Sequence, residues 1–224
     1  TCSMILDLAR GLSMYNHLSK NYKFGWQENF IPELKRLENH NLGIIGMGRI
    51  GTAVGLRMKA FNIDVAFYDP YISDGYEKSL GVKRFRSLAE LFSFASIMSI
   101  HTPLTEETIS MVNKDFIELM NPGSILINTA RGQIVESLSV IYDALNSGKL
   151  AGVGLDVLPE EPPSEKEPLI KTWKNPVDPL CSRILISPHT AFYSKTAWHE
   201  MRFKAAENAS RVLSGQDPIN IINN

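Results

Sequence analysis

Cysteine is scarce in this chain, and its scarcity excludes several kinds of protein. Only Cys2 and Cys181 occur among the 224 residues. Two cysteines do not make a disulfide framework, and these two lack the close spacing of a cysteine metal site. We therefore expect free thiols, no metal centre and a reducing, cytoplasmic compartment.

Long apolar runs and an excess of one charge are also lacking. No apolar stretch reaches about 18 residues, so the sequence predicts no transmembrane helix and no membrane partner. The formal net charge is −1, and Lys and Arg form no basic cluster, so direct binding of nucleic acid is not expected. With 44% hydrophobic residues, the chain has enough apolar side chains to bury a full core.

Two kinds of apolar pattern alternate along the chain. Short runs such as "NLGIIG", "DVAFYDP" and "GSILINTA" are continuously apolar, which is typical of strands that are covered on both faces. Between them, apolar residues recur at helical spacing, for example at Leu138, Ile141 and Leu145. This alternation predicts an α/β fold with a parallel, doubly wound sheet of the Rossmann type.

The two ends of the chain are both predicted to be helical. Residues 3–18 form an amphipathic pattern, and we expect one helix that has too little of its own domain to bury against. Residues 195–214 predict a final helix with four inward apolar residues, Trp198, Met201, Ala205 and Val212. The proline-rich segment 157–182 has no periodic pattern, and connections of that length are often functional.

The stretch "GMGRIG" lies between a predicted strand and a predicted helix, and it is typical of a dinucleotide site. Gly46 permits a tight turn, and Gly48 lets the backbone approach a pyrophosphate. Gly51 lets the helix pack close to the strand. Arg49 and Ile50 begin the helix, whose positive N-terminal end favours phosphate charge.

Asp69 ends the second predicted strand, 18 residues after Gly51. A carboxylate at this place can accept hydrogen bonds from the ribose of an adenosine. Its negative charge would repel a 2′-phosphate, and neither Pro70 nor Tyr71 offers a compensating cation. The sequence therefore predicts NAD rather than NADP as the cofactor.

Several motifs occur in a fixed order along nearly the whole chain, up to about residue 215. They are "GIIGMGRIG", "FYDPY", "HTPLTEET", "INTARG", "GVGLDVLPEEPP" and "ISPHTAF". Together they resemble the D-isomer-specific 2-hydroxyacid dehydrogenases, and "FYDPYISDG" and "PHTAFYS" bring the chain closest to the branch related to the C-terminal-binding-protein corepressors. The resemblance implies an NAD-dependent oxidoreductase that interconverts a small D-2-hydroxy acid and its 2-keto acid.

Three residues are candidates for the chemistry. Arg131 follows a strand, and its guanidinium would anchor the substrate carboxylate and polarise the carbonyl. His189 follows another strand and would exchange the proton, since its ordinary pKa of about 6.5 suits that role. Glu161 would hydrogen-bond the imidazole and raise its pKa. Only the resemblance selects Glu161 over the adjacent Glu160, and in isolation each candidate would be an ordinary surface or turn residue.

The resemblance also assigns six residues to the cofactor site: His101, Thr102, Pro103, Thr129, Ala130 and Asp156. The first three would line the cofactor, the next two would lie along the nicotinamide, and the aspartate would bind the carboxamide. For His101, a wall of the cofactor site is favoured over a second catalytic histidine.

In this family a substrate domain precedes the first helix, and we expect this chain to lack most of it. Residues 1–24 would then link to that domain and contribute to a homodimer contact. Residues 25–192 would form the NAD-binding domain, and residues 193–224 a C-terminal helix and tail with exposed apolar surface around Trp198. We expect NAD binding with little turnover from these residues alone. A corepressor-like NAD-binding interaction module is the alternative function, since one fold hosts both roles.

Overall fold

The computed structural model describes residues 1–20, 26 and 34–221. Over these residues, seven strands form one sheet, every pairing is parallel, and the order is β3-β2-β1-β4-β5-β6-β7. The strands are Asn41–Ile45 (β1), Asp64–Tyr68 (β2), Lys83–Arg84 (β3), Ile97–Ile100 (β4), Ser124–Asn128 (β5), Leu150–Leu155 (β6) and Ile184–Ile186 (β7). The α-helices are Cys2–Arg10 (α1), Leu12–Leu18 (α2), Arg49–Lys59 (α3), Tyr76–Leu80 (α4), Leu88–Phe94 (α5), Lys114–Leu119 (α6), Leu138–Asn146 (α7), Pro168–Lys174 (α8) and Lys195–Leu213 (α9).

Both faces of the sheet are covered, as the continuously apolar strands predict. Successive residues of β5 alternate between two apolar clusters, with Ile125 and Ile127 in one and Leu126 in the other. The predicted Rossmann-type fold is therefore confirmed. The strand order reverses direction between β1 and β4, so a crevice opens at the carboxyl ends of these strands, where ligands bind in such sheets.

The first predicted helix is two helices, and its burial differs from the prediction. Gly11 adopts left-handed dihedral angles (φ 63°, ψ 33°) and separates α1 from α2. The expectation that this region has too little to bury against is wrong for α1, because Ile5 and Leu8 are buried against the sheet, whereas α2 buries none of its residues. Gly152 and Gly154 of β6 make this approach possible, since an added Cβ would meet α1 side chains at 2.9–3.0 Å.

The proline-rich segment 157–182 contains a helix that its sequence pattern does not reveal. Pro168 begins α8 at the first helical position, where its missing N–H costs nothing. Leu169 and Ile170 are buried in the main core, so this part of the segment packs against the domain.

The chain divides into two compact units, Thr1–Pro188 and His189–Asn224. The second unit consists of a loop, α9 and the residues after it. The prediction of an inward face on α9 is wrong, because none of its residues is buried and Trp198 is 40% exposed. Among residues 189–221, the part of this unit that the structure describes, no side chain is buried, so the helical periodicity of the apolar residues does not lead to burial within it.

The predicted boundary between residues 24 and 25 lies outside the described residues. No helix in the described part of the chain combines the length and the apolar character that crossing a bilayer requires. The same residues contain no group of three His, Cys, Asp or Glu side chains placed to hold a metal ion.

Candidate functional site

The glycine turn after β1 is built by close backbone packing. Gly46 has a φ of 91°, and a Cβ there would lie 2.8 Å from the backbone of His101. Gly51 is tighter still, since its Cβ would lie 2.1 Å from the carbonyl oxygen of Gly46. Only glycine allows α3 to begin this close to the strand, and Arg49 and Ile50 at its start are exposed.

Asp69 follows β2, and its carboxylate is held beside the glycine turn. One carboxylate oxygen accepts the backbone N–H of Met47 at 2.8 Å, and the other accepts that of Tyr71 at 2.9 Å. Arg84 of β3 donates to the backbone oxygen of Asp69 at 2.9 Å, and the Arg84 side chain is only 6% exposed. The carboxylate is therefore fixed by two hydrogen bonds, one to the glycine turn and one to its own loop, and Arg84 holds the backbone of the same residue.

A cavity of about 610 Å³ lies at the carboxyl ends of β1, β2 and β4. It is lined by Ile45, Gly46, Gly48, Tyr68, Asp69, Pro70, Tyr71, Leu88, His101, Thr102, Pro103, Thr105, Glu106, Glu107, Thr108 and Met111. A Cβ on Gly48 would meet nothing within 4 Å, so its backbone is open to a ligand. Thr102 Oγ1 is buried and finds no hydrogen-bond partner among the described residues, which is costly unless a ligand satisfies it.

His101 forms part of the cavity wall. Its Nε2 lies 2.9 Å from Oγ of Ser99, which is itself fully buried in β4. Burial of the imidazole lowers the pKa of His101 to about 4. The side chain is therefore neutral near pH 7 and is poorly suited to deliver protons there, which favours the wall over a second acid or base.

Arg131 lies in a turn that follows β5 and is organised by a buried asparagine. Asn128 accepts the backbone N–H of Ala130 at 3.0 Å, and its amide donates to the backbone oxygen of Arg131 at 2.9 Å. The Arg131 side chain is exposed and donates to the Ala130 oxygen at 2.7 Å. Thr129 is half-buried, and its hydroxyl lies 2.7 Å from that of Thr1. The turn thus presents a guanidinium at the carboxyl edge of the sheet.

Asp156 is buried at the end of β6 and is tied to its neighbours on both sides. Its backbone N–H donates to the oxygen of Asn128 at 3.0 Å. Its carboxylate accepts the hydroxyl of Ser187 at 2.5 Å, so the ends of β5, β6 and β7 are joined through this residue.

Glu161 lies in a turn that packs directly on the turn of Arg131. Its carboxylate accepts the backbone N–H of Leu158 at 2.9 Å, and the Glu161–Pro162 peptide is cis. An added Cβ on Gly132 would lie 1.8 Å from the carbonyl oxygen of Leu158. Glycine at position 132 therefore brings these two turns into backbone contact.

His189 begins the second unit, and it is exposed. Its φ of 53° places it in the left-handed region, which is uncommon for a residue with a side chain. Its ring packs edge-on to Phe192, with ring centroids 6.5 Å apart. Unusual backbone of this kind is concentrated at functional sites, although it does not define one.

Four residues that support this region are not assigned a role by the sequence: Arg84, Asn128, Gly132 and Ser187. Asn128 had a usable signal, because asparagine commonly bonds the backbone two residues on in turns. Gly132, in "NTARG", also had a usable signal, because glycine often marks a close approach between backbone segments. The other two had none, because their partners are distant in sequence and are brought close only by the sheet.

Comparison with known proteins identifies relatives of this chain. Residues 2–191 match the family model of the D-isomer specific 2-hydroxyacid dehydrogenase, NAD binding domain. A glyoxylate reductase of Korarchaeum cryptofilum is 37% identical over 182 residues, which are 81% of this chain and 52% of that protein. C-terminal-binding protein 1 of Caenorhabditis elegans is 30% identical over 97% of this chain and 29% of its own length. The chain thus spans about half or less of these relatives.

Solved structures of 2-hydroxyacid dehydrogenases are also similar to this chain. D-lactate dehydrogenase from Aquifex aeolicus, complexed with NAD and lactic acid, superposes with a TM-score of 0.81 at 30% identity, over 95% of this chain and 64% of that one. D-2-hydroxyisocaproate dehydrogenase superposes with a TM-score of 0.80 at 28% identity. The orphaned Thr102 hydroxyl, the open face of Gly48 and the fixed carboxylate of Asp69 fit NAD as the cofactor. The chain belongs to the D-isomer specific 2-hydroxyacid dehydrogenase family, of which it forms the NAD-binding domain.

Proposed function

We propose that this domain serves an NAD-dependent dehydrogenase that interconverts a small D-2-hydroxy acid and its 2-keto acid. The observation that carries the proposal is the exposed guanidinium of Arg131. It lies on a turn whose backbone a buried asparagine holds, at the same sheet edge as the cofactor cavity. NAD, when bound, supplies the two-electron redox step. The residues Gly46, Gly48, Asp69 and Thr102 would hold it.

Arg131 would bind the substrate carboxylate. A guanidinium can grip both carboxylate oxygens at once, which fixes the orientation of the reacting carbon. Its donors would also polarise a neighbouring carbonyl, because they are charged and always protonated. We propose that Thr129, Ala130 and Asp156 flank the nicotinamide end of the cofactor, since they lie on the two strand ends next to Arg131.

His189 would exchange a proton with the substrate oxygen, and Glu161 would keep that proton available. A carboxylate beside an imidazole stabilises its charged form and raises its pKa. The pairing is a prediction from the sequence, and a pH profile tests it. Glu161→Gln should lower the pKa on which the rate of keto-acid reduction depends.

The experiment is a screen of 2-keto acids with NADH, using the full-length protein. His189→Ala should lower turnover on the order of 10²–10⁴-fold. His199→Ala is the matched control, since His199 is another exposed histidine of the same unit. Equal activity of the two variants would remove His189 from the mechanism.

Matched variants also test the proposed roles of Arg131 and Glu161 separately. Arg131→Lys keeps the charge but loses the bidentate grip, so it should raise KM for the keto acid and leave NADH binding intact. Glu160→Gln is the control for Glu161→Gln, because it removes the adjacent carboxylate from the same turn. If both glutamine variants changed the pH profile alike, Glu161 would have no special role.

A second candidate is an NAD-binding protein-interaction module with little or no turnover. It is favoured by the match to C-terminal-binding protein 1, which extends over 97% of this chain. Absence of turnover on every keto acid in the screen, together with intact NADH binding, would favour this module over the dehydrogenase.

We also propose a homodimer that works in the cytoplasm. The proposal follows from the family resemblance, from the use of only two cysteines, which are both unpaired, and from the exposed Leu12 and Leu18 of α2. Sedimentation of the full-length protein with and without NAD tests the dimer, and a strict monomer in both conditions would contradict it.

A further inference from the structure

A hydrogen bond joins the two walls of the cofactor crevice. The hydroxyl of Tyr71 donates to a carboxylate oxygen of Glu107 at 2.5 Å. Tyr71 lies in the loop after β2, and Glu107 lies in the loop after β4. Strand β1 lies between these two strands, so the two loops begin two strand spacings apart, or roughly 10 Å. The bond between them therefore passes across the glycine turn that follows β1.

Both ends of this bond are held by their own loops. The backbone N–H of Tyr71 donates to the carboxylate of Asp69 at 2.9 Å, which links the tyrosine to the proposed ribose acceptor. On the other side, the Thr108 hydroxyl donates to the Pro103 oxygen at 2.7 Å and accepts the Thr105 N–H at 2.8 Å. The carboxylate of Glu107 also raises the pKa of the Tyr71 phenol through this hydrogen bond. The contact therefore joins two ordered loops.

The cavity behind this bond suits an uncharged, flat, largely apolar group. Its lining includes apolar side chains such as Leu88 and Met111, and three acids, Asp69, Glu106 and Glu107. Among the described lining residues there is no lysine or arginine, and burial holds His101 neutral near pH 7. Adenine and an unmodified ribose fit these surroundings, whereas a 2′-phosphate would meet negative charge.

We propose that Tyr71 and Glu107 form a clasp over the adenosine half of the bound cofactor. The inference rests on the assignment of this cavity to NAD. The clasp holds the Tyr71 ring, which is 76% exposed even with this bond in place, as a wall of the site, so that less ordering is required when the cofactor binds. It also delays cofactor release, and the Glu107 charge adds to that of Asp69 in rejecting NADP.

The test measures the release rate and the affinity of NADH, by stopped-flow fluorescence and titration of the chain. Tyr71→Phe should raise the release rate about fivefold, which corresponds to losing the ordering of one side chain. Glu107→Ala should give a similar increase, and the double variant should release NADH no faster than either single one, because the same bond is already broken. Both side chains are exposed, so the variants leave the core intact.

Glu136→Ala is the matched control, since Glu136 is another exposed glutamate, is not among the residues that line the cavity, and its removal leaves the clasp in place. It should leave the release rate within about twofold of the original, on the scale of a solvent-exposed charge. Release rates in Tyr71→Phe and Glu107→Ala that match this control would overturn the clasp. Failure of the unaltered chain to bind NADH would instead overturn the assignment of the cavity to NAD.

The effect of the Glu107 charge on the choice between NAD and NADP is measured separately. Glu107→Gln keeps an acceptor for the Tyr71 hydroxyl but removes the negative charge, so the ratio of NADP to NAD dissociation constants should fall about threefold or more. An unchanged ratio would overturn the role of Glu107 in cofactor selection and leave that selection to Asp69.

Discussion

The helices α1 and α9 both carry apolar residues at helical spacing, and only α1 buries those residues. In α1, only nine residues long, Ile5 is fully buried and Leu8 is nearly so. In α9, with 19 residues, no side chain is buried. The difference teaches that periodicity identifies a face that can be covered, and that the surrounding topology decides whether the same chain covers it.

A similar contrast divides the functional residues. The cofactor side of the first unit is fixed by backbone packing, because Gly46 and Gly51 approach other backbone atoms more closely than any Cβ allows. The proposed catalytic side chains, Arg131 and Glu161, are exposed on turns held by hydrogen bonds. The two glycine positions tolerate no substitution that adds a Cβ. Substitution of Arg131 or Glu161 should leave the fold intact and remove catalytic activity instead.

The largest effect is expected from Gly51→Ala, compared with Gly48→Ala. The Cβ at position 51 would lie 2.1 Å from a carbonyl oxygen, so we expect destabilisation of about 4 kcal/mol and loss of NAD binding. Gly48 has open space at the corresponding point, so its alanine variant should fold normally and bind NAD more weakly. Urea denaturation and calorimetric titration measure both. Equal stability of the two variants would contradict backbone packing as the constraint on this turn.

The comparison of helices is tested directly by Ile5→Ala and Trp198→Ala. Ile5 is fully buried, so its truncation should cost about 3 kcal/mol of unfolding free energy. Trp198 is 40% exposed, and its larger truncation should cost less than about 1 kcal/mol. Denaturation followed by far-UV circular dichroism gives both values. A loss at Trp198 as large as that at Ile5 would mean that α9 contributes to a core.

The buried His101 predicts a pH dependence of stability. Its pKa of about 4 in the fold lies below the ordinary 6.5, so the unfolded chain binds the proton more readily. Stability should therefore fall as the pH drops from about 6.5 towards 4, by up to about 3 kcal/mol from this residue, and remain unaffected by it above that range.

His101→Gln isolates this contribution. Burial also lowers the pKa of His40, and carboxylates titrate in the acid range, but these effects are common to both proteins. The difference in unfolding free energy between the original and the variant should therefore change between pH 7 and pH 4.5. Parallel stability curves would show that His101 does not titrate differently on folding.

The smallest effect concerns Thr102→Val, which replaces the orphaned hydroxyl with a methyl group of similar size. Without ligand the variant should be as stable as the original or more stable by about 1 kcal/mol, since a buried polar atom without a partner is removed. NAD affinity should fall several-fold, because the cofactor loses a hydrogen bond. Unchanged affinity would show that the hydroxyl does not face the cofactor.

The sequence predicted the fold because several local signals agree. Continuous apolar strands, helical periodicity and a glycine turn followed by an acid all indicate the same parallel sheet. The predictions from the sequence were wrong or incomplete where an element is stabilised by residues that are distant in the chain. The burial of α1 depends on Gly152 and Gly154, which lie far along the chain, and the helix at Pro168 is short and stabilised by packing rather than by periodicity.

By itself, then, the sequence determined the class of fold, the glycine turn and the acid beside it, because backbone sterics and strand order follow from local residue types. The tertiary structure alone decided which apolar faces are covered and that the Thr102 hydroxyl is buried without a partner. It also brought Gly132 against Leu158 and Tyr71 to Glu107. These contacts join residues from separate loops, and only the order of strands in the sheet sets which loops become neighbours.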